Sequence, residues 1–413
     1  MGPLDQPARS RTLPPLPRPI SRRQALGAGI TGLAGIGAGL LVGCGDDDDS
    51  DGQALPPTIT PTAAGEPPPE VTSIRVPRTR SGCNAPFIYA EEFLREEGFA
   101  EVRNVFAEQA YLLIDEVAEG SIDIAYHFIP PLLHAVEHGV PIVMLGPAHT
   151  ACAQVVAADY VADLADLRGR RLGIAPLSVP QPGDFAFATS LLQWIGISSL
   201  DDVELVPVVV ADITTGLGSD FDAVFTYPPL SYSALESRSS SGPGSGQRHI
   251  IFDSSVDEPW SRQLCCALFA RRQFVEDNPV ATKRALRAVL RALDHGASDL
   301  GALAGAMLKK GWLAREDYAN RALAELTFGA WRTHDLAASM RFYGLYLHEA
   351  GLIKSTPEQL IQRGTDLTFF NELKSELAYA PGGKDRQFSF YCDPATPPAA
   401  LAAPAVGPQR KLT

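Results

Sequence analysis

His134, Glu137 and His138 form the pattern His-x-x-Glu-His, which could bind zinc. On a helix this spacing would place both histidines on one face as ligands, with the glutamate beside them as a general base. The predicted helix is short because it follows Pro130 and Pro131, and a five-residue pattern often arises by chance. We therefore keep a zinc hydrolase only as the weaker alternative and predict no metal site and no catalytic residue.

Six cysteines are the other residues that could do chemistry, but their spacing indicates no catalytic site. They are too few for a disulfide scaffold, and no C-x-x-C pair suggests a zinc ribbon or a redox site. The sequence also has no Gly-rich phosphate loop with a lysine and no G-x-S-x-G nucleophile motif. We therefore expect a protein that is not an enzyme and uses no cofactor.

The first 44 residues have the composition of an export signal. Arg22 and Arg23 precede an uncharged stretch from Ala25 to Gly43. Its length would suit a transmembrane helix, but its seven glycines weaken a helix and reduce its hydrophobicity, so we favour a cleaved signal. Ala25 stands where twin-arginine signals usually carry a bulky apolar residue. The choice between the twin-arginine and the general secretory route therefore stays open.

The end of that stretch, Leu-Val-Gly before Cys44, resembles a bacterial lipobox. The resemblance implies that the signal is cleaved before Cys44 and that this cysteine carries a lipid. Such an anchor would hold the protein at the outer face of the cytoplasmic membrane or in the periplasm. Residues 45–70 are acidic and proline-rich, and we predict a disordered tether there and a disordered tail at 393–413.

The net charge of −13, from 35 basic and 48 acidic residues, argues against a nucleic-acid backbone or an anionic membrane surface as the main partner. Between the tether and the tail, β-like runs alternate with helical stretches. This alternation is typical of α/β layers around a mainly parallel sheet. The strands are predicted at 72–76, 102–106, 121–126, 141–145, 203–208, 222–225 and 249–252, and helices at 110–119, 184–195 and, with short breaks, from 279 to 377.

Several landmarks, taken in order, make the chain resemble a known family over roughly residues 72–375. The landmarks are Gly120–Ile124, Asp166–Gly173, Asp222–Phe225 and Asn278-Pro279 with the helix that follows. Three further segments mark a subgroup: Cys83-Asn84-Ala85-Pro86, His149-Thr150-Ala151-Cys152, and Pro259-Trp260-Ser261 followed by Cys265-Cys266. Together they resemble the ABC-transporter substrate-binding proteins of the nitrate, sulfonate, taurine and thiamine-pyrimidine group.

The resemblance implies a type II periplasmic-binding-protein fold, in which two α/β lobes with mainly parallel sheets are joined by two hinge crossings and followed by C-terminal helices. The first lobe would begin at 71–148, and the first crossing would occupy 149–163. The second lobe would follow at 164–258. The second crossing, with an extended strand at 262–271, would return the chain to the first lobe within 259–392.

The resemblance also implies a receptor that captures a small solute between its lobes and delivers it to an ABC importer. Ligands of open α/β sheets lie beyond the carboxyl ends of the strands, where helix N-termini favour anions. We expect an anionic or heteroaromatic solute, an importer permease as partner, a monomer and no nucleic acid. The expected ligand-contacting residues are Ser81, Gly82, Cys83, Asn84, Tyr126, His127, Thr150, Cys152, Ser178, Tyr227 and Cys265.

Some of these residues have simpler explanations. Asn84 could cap a helix, and Tyr126 or Tyr227 could pack in the core. A thiamine-pyrimidine-synthase-like enzyme on the same fold is a second alternative, although the residues after Cys266 lack the further cysteines of that enzyme. The resemblance places Cys152 and the Cys265-Cys266 pair on neighbouring crossings, and whether they form a disulfide stays open.

Overall fold

The computed structural model describes residues 65–79, 81–107, 113–174, 183–198, 201–237 and 246–377. Within these ranges helices flank two groups of strands, which we call the first and second lobes, and this arrangement confirms the predicted α/β fold class. None of the helices found there is both long and apolar enough to span a membrane. The expected signal, with Cys44, and the expected C-terminal tail lie outside the described residues.

The first lobe contains a parallel pair of strands and a three-stranded antiparallel sheet. Its elements are β1 (Ser73–Arg78), α1 (Phe87–Glu96), β2 (Glu101–Phe106), α2 (Leu113–Ala118), β3 (Ile124–Phe128), α3 (Ile129–Glu137), β4 (Ile142–Pro147) and β10 (Cys266–Arg271). Strand β1 pairs with β2, and β10 lies between β3 and β4. Strands β3, β4 and β10 are almost wholly buried, which explains their continuous apolar sequences.

Strand β3 begins three residues later than the sequence predicted, at Ile124. Asp123, expected within the strand, precedes it instead. Its carboxylate accepts hydrogen bonds from the backbone N–H and the guanidinium of Arg75, at 2.5 to 3.1 Å. These bonds join the start of β3 to β1, so the parallel pair and the three-stranded sheet of the first lobe lie side by side.

The second lobe contains one five-stranded sheet with the order β7-β6-β8-β5-β9. Its elements are β5 (Gln154–Ala157), β6 (Arg171–Ile174), α4 (Gly183–Trp194), β7 (Glu204–Pro207), α5 (Ile213–Gly216), β8 (Ala223–Thr226), α6 (Leu230–Glu236) and β9 (His249–Asp253). Strand β6 runs parallel to both of its neighbours, whereas β5 runs antiparallel to both of its own. Because β5 belongs to this sheet, the expected first crossing at 149–163 already contains a strand of the second lobe.

Two short segments connect the lobes, residues 148–153 after β4 and residues 254–265 after β9, and we call them the first and second crossings. They lie side by side: Thr150 forms a bridge with Leu264, and the backbones of Ala153 and Ser254 are joined by a 2.9 Å hydrogen bond. The extended strand expected from residue 262 is wrong at its start, because Trp260–Arg262 is a 3-10 turn and the strand begins only at Cys266.

The rest of the described chain, to residue 377, is helical, as the sequence predicted. Helix α8 begins at Pro279, directly after Asn278, and packs its apolar face against α1. The helices are α7 (Arg272–Asp277), α8 (Pro279–Ser298), α9 (Leu300–Lys309), α10 (Glu316–Ala324), α11 (Leu336–Glu349), α12 (Pro357–Gly364) and α13 (Thr368–Glu376).

The end of the expected tether is bound to the first lobe, which corrects the predicted boundary at residue 70. The carboxylate of Glu70 accepts hydrogen bonds from the backbone N–H groups of Val280 and Ala281, in the first turn of α8, at 3.0 and 2.8 Å. Glu66 pairs with Arg287 at 2.6 Å. By composition these acidic residues suggest a solvated segment, but in the structure Glu70 accepts from free N–H groups at a helix N-terminus and Glu66 pairs with an arginine.

Glu97 follows α1 with its side chain fully buried against the arginines of α8. Its carboxylate lies 2.6 Å from Arg287, and its carbonyl oxygen accepts a 2.7 Å hydrogen bond from Arg284. Arg291 approaches the same carboxylate at 3.8 Å. Burial raises the pKa of Glu97, and the three guanidinium groups act in the opposite direction. The packing of α1 on α8 therefore depends on a buried group of paired charges.

We predict that Glu97→Ala lowers the free energy of unfolding by about 3–5 kcal/mol, because it leaves buried guanidinium groups without their carboxylate. Urea denaturation at neutral pH measures the change. Glu358→Ala, which removes an exposed partner of Arg341, is the matched control and should cost much less. A loss no larger than that of the control would contradict the role of this buried ion pair.

Candidate functional site

A cavity lies where the two lobes meet. Its walls are the loop after β1, the end of β3, the residue after β8 and the first residue of β10. The carboxyl ends of β1, β3 and β8 thus face the same space, which is the usual ligand position in open α/β sheets. The lining residues are Ser81, Cys83, Asn84, Tyr126, His127, Phe128, Tyr227 and Cys266.

The loop after β1 forms the polar wall of this cavity. The backbone N–H of Cys83 donates to the hydroxyl of Ser81 at 3.3 Å. Asn84 was expected to cap the following helix, but α1 begins at Phe87, after Pro86, and no side chain caps it. The Asn84 side chain is buried instead, and its Oδ1 has no hydrogen-bond partner among the described residues. A buried amide oxygen without a partner is costly, so it marks a position where a ligand could donate.

Aromatic rings form the apolar walls. The ring of Tyr126 stacks on Phe87 with the centroids 4.9 Å apart, and its hydroxyl donates to the carbonyl oxygen of Cys83. Phe128, from the first lobe, meets Tyr227, from the second, edge to face at 6.1 Å. Phe128 also packs against Phe187 of α4 at 5.5 Å. Contacts between rings therefore connect the two lobes beside the cavity.

The structure brings most of the predicted site residues together. The predicted residues that line the cavity are Ser81, Cys83, Asn84, Tyr126, His127 and Tyr227. Gly82 is not in the lining, and a Cβ at its position would lie 3.2 Å from Cβ of Ala322 in α10. Thr150 pairs with Leu264 across the crossings. Cys152 and Cys265 lie close to lining thiols rather than in the lining itself. Ser178 lies outside the described residues.

Sequence reasoning missed two lining residues, Phe128 and Cys266. Phe128 lies beyond the predicted end of the third strand, and the two-residue extension of β3 past Tyr126 brings it to the cavity. Cys266 is adjacent to the predicted Cys265 and is the first residue of β10, four positions beyond the expected start of that strand. The apolar run of β3, which continues to Phe128, could have indicated that residue. No local pattern distinguished Cys266 from Cys265.

Four buried cysteines converge beside the cavity, and none of these four forms a disulfide in the structure. The sulfur of Cys83 lies 3.0 Å from that of Cys152, which lies 3.6 Å from Nδ1 of His149. Cys265 and Cys266 also lie within reach of Cys152. The disulfide from Cys152 to Cys265 or Cys266 that the sequence left open is not present in this structure. Burial raises the pKa of Cys266 to about 12 and that of Cys152 well above its ordinary value.

The backbone at this point is strained. Ala151 and Cys152 have φ angles of 65° and 121°, in the left-handed region that residues with a Cβ rarely adopt. Such residues cost about 1–3 kcal/mol each and are concentrated at functional sites. Both residues lie in the first crossing, and the thiol of Cys152 lies among those of the other cysteines.

The His-x-x-Glu-His segment is not part of the cavity lining, and its contacts are structural. The carboxylate of Glu137 accepts hydrogen bonds from the backbone N–H groups of Lys354 and Ser355 at 2.8 and 3.2 Å and pairs with Arg363 at 2.5 Å. The rings of His134 and His138 stack 4.0 Å apart. Because Glu137 connects α3 to the segment before α12, it is not available as a general base. The zinc-hydrolase alternative therefore has no support from the geometry.

Comparison with known protein families gives one match. Residues 84–299, just over half of the chain, match the family described as NMT1/THI5 like. The matched region begins in the loop after β1 and ends with α8, so it contains every described segment that lines the cavity except Ser81 and Cys83. No curated protein matches the chain significantly by sequence.

Several solved structures share the fold. The periplasmic nitrate-binding protein NrtA from Synechocystis PCC 6803 is 15% identical over 75% of this chain and 90% of its own, with a TM-score of 0.61. The alkanesulfonate-binding protein SsuA from Xanthomonas axonopodis pv. citri, bound to MOPS, is 15% identical over 72% and 99%, with a TM-score of 0.56. The desulfurization enzyme DSZB is 16% identical over 74% and 99%, with a TM-score of 0.51. At these identities the likeness confirms the periplasmic-binding-protein fold.

We predict that Glu137→Gln lowers the free energy of unfolding by about 1–2 kcal/mol at neutral pH, as expected for hydrogen bonds to a charged group. Burial raises the pKa of Glu137, but hydrogen bonds from Ser355, Lys354 and Arg363 outweigh it and lower the pKa to about 2. The stabilisation is therefore complete above the unfolded pKa of 4.5 and is lost as the pH falls toward about 2.

Urea denaturation of the wild type and the variant at neutral pH and near pH 2 measures the difference, which should shrink on acidification. Glu358→Gln, in an exposed pair, is the control and should change little at either pH. A difference that grows on acidification would show that Glu137 is not held as a carboxylate.

Proposed function

We propose that this chain, which belongs to the NMT1/THI5-like family, is an extracytoplasmic receptor that captures a small solute and delivers it to an ABC importer. The observation that carries the proposal is the position of the cavity. It lies between the lobes, at the carboxyl ends of strands from both lobes, and is lined by residues of both. Solved structures with this fold include nitrate-binding and alkanesulfonate-binding proteins, which support a binding role.

In this proposal the two crossings act as the hinge between the first lobe, completed by β10 and the C-terminal helices, and the second lobe around β5 to β9. A ligand that touches both lobes stabilises the closed arrangement by its higher affinity for it. Phe128 and Tyr227 would be brought together by closure, because they come from different lobes and meet beside the cavity. The closed form is the one that an importer permease would recognise.

The lining favours an uncharged heteroaromatic solute over an anion. Among the described residues that line the cavity, none is Lys, Arg, Asp or Glu. The rings of Tyr126, Phe128 and Tyr227 offer flat apolar surfaces on which another ring can pack. Oδ1 of Asn84 offers an acceptor for an N–H or O–H group of the solute. An anion would be favoured by a positive charge, and the only basic side chain of the described lining is the imidazole of His127.

We further propose that the chain is exported and held at the membrane by a lipid on Cys44. Arg22 and Arg23, the uncharged stretch after them and the lipobox-like segment support this proposal. A lipid anchor followed by an acidic, proline-rich tether would leave the two lobes free to face a permease in the same membrane. We expect the receptor to act as a monomer, without catalysis.

We predict that uncharged heteroaromatic compounds, such as aminopyrimidines, raise the melting temperature, whereas nitrate, taurine and simple sulfonates do not. A ligand at 100-fold its Kd adds about 2.7 kcal/mol to the free energy of unfolding, which a thermal-shift assay detects. Tyr227→Ala should then weaken binding by about tenfold or more in calorimetry, because it removes the aromatic wall from the second lobe.

Tyr346→Ala, the same truncation on α11 outside the cavity lining, is the control and should bind as the wild type does. Stabilisation by sulfonates or nitrate alone would contradict the heteroaromatic assignment and leave the receptor function standing. Binding that Tyr227→Ala does not weaken would contradict the placement of the site.

We predict that Cys44→Ala abolishes lipid labelling and releases the chain from the membrane fraction of a bacterial host, because the acyl chains supply the membrane affinity. Metabolic labelling with a fatty acid, followed by fractionation, measures both effects. Cys392→Ala is the matched control and should keep the label. Label retained by Cys44→Ala would contradict the lipobox assignment.

A further inference from the structure

Three distant segments of the chain bring thiols and an imidazole to one point beneath the cavity. Cys83 comes from the loop after β1, His149 and Cys152 from the first crossing, and Cys265 with Cys266 from the junction of the second crossing and β10. All five side chains are buried. Isolated buried cysteines usually act as small apolar residues, but here every cysteine of the described ranges is at the same place.

The distances suit a metal ion with sulfur and nitrogen ligands. Two groups of three potential ligand atoms, each with all atoms within 4.8 Å of one another, share the sulfur of Cys152. One group adds Cys83 and His149, and the other adds Cys265 and Cys266. In a tetrahedral zinc site with Zn–S bonds of about 2.3 Å, neighbouring sulfurs lie about 3.8 Å apart. The cysteine sulfurs could therefore surround one ion with only small side-chain movements.

We propose that this cluster binds one thiophilic metal ion of the Zn²⁺ or Cu⁺ type, with Cys152 as the central ligand. Thiolates and an imidazole are the ligands that such ions prefer, and four of the five groups would complete a tetrahedral site. The strained backbone at Ala151 and Cys152 directs the shared thiol into the cluster. The proposal goes beyond solute capture and does not depend on it.

An ion at this position has a route of entry and a mechanical consequence. Cys83 and Cys266 line the cavity, so an ion can reach the cluster through the space between the lobes. Once bound, the ion would connect the loop that forms the polar wall to both crossings. Metal occupancy would thereby stiffen the hinge and fix the wall that contains Asn84.

The test measures metal binding by the full chain, purified under reducing conditions and freed of metal, without any solute. We expect one Zn²⁺ or Co²⁺ per chain, and for Co²⁺ a thiolate charge-transfer band with the strong visible bands of a tetrahedral site. Cys152→Ser should weaken metal binding by at least about 100-fold, because it removes a direct ligand. Loss of a residue that only orients a metal ligand has a smaller effect. Cys392→Ser is the matched control and should bind as the wild type does.

Because Cys152→Ser could fail to fold, X-ray absorption of the zinc-loaded wild type provides a second measurement, and two or more sulfur ligands are expected. Binding of less than one ion, or an ion without sulfur ligands, would overturn the proposal. So would a Cys83 to Cys152 disulfide found by peptide mapping of protein isolated without reductant. Since no solute is present, none of these outcomes bears on the receptor function.

Discussion

The carbonyl oxygen of His149 accepts hydrogen bonds from the backbone N–H groups of Cys265 and Cys266, at 2.9 and 3.2 Å. With the bridge between Thr150 and Leu264, these bonds hold the two crossings together where the chain passes from one lobe to the other. Each crossing alone is a short segment without a sheet to stabilise it. When the crossings pair, they satisfy each other's buried backbone groups and determine how the two lobes face one another.

The cavity and the thiol cluster both follow from that pairing. Strand β10 begins where the second crossing ends, and it aligns Cys266 with Phe128 of β3. The same register brings the thiols of the second crossing to the thiol of the first. Cys83 and Cys266 belong to the cavity lining and also to the cluster, so any ion bound there would share a wall with the solute. Two bound species that share a wall affect each other's affinity equally.

The body of the first lobe contains buried charged groups, whereas the described cavity lining contains no Lys, Arg, Asp or Glu. Glu97 and Arg287 are both buried, and they form an ion pair at 2.6 Å. The cavity lining contains no such pair among the described residues, and the amide oxygen of Asn84 there has no hydrogen-bond partner. The net charge of −13 therefore describes the rest of the chain, because no Lys, Arg, Asp or Glu belongs to the described cavity lining.

The sequence by itself predicted an export signal, and it determined the α/β alternation and the helical end of the chain, because composition and periodicity are local properties. It also indicated most of the lining, since loops that follow predicted strands can be located from pattern and family resemblance. Only the tertiary structure decided that Asn84 leaves its helix uncapped, that Glu137 is bound to the segment before α12, and that Glu70 caps α8. It also decided that Cys83 joins Cys152, Cys265 and Cys266. The contacts of Glu137, Glu70 and Cys83 join residues far apart in the chain. Whether such residues meet depends on the pairing of the crossings and on helix packing, which no local pattern encodes.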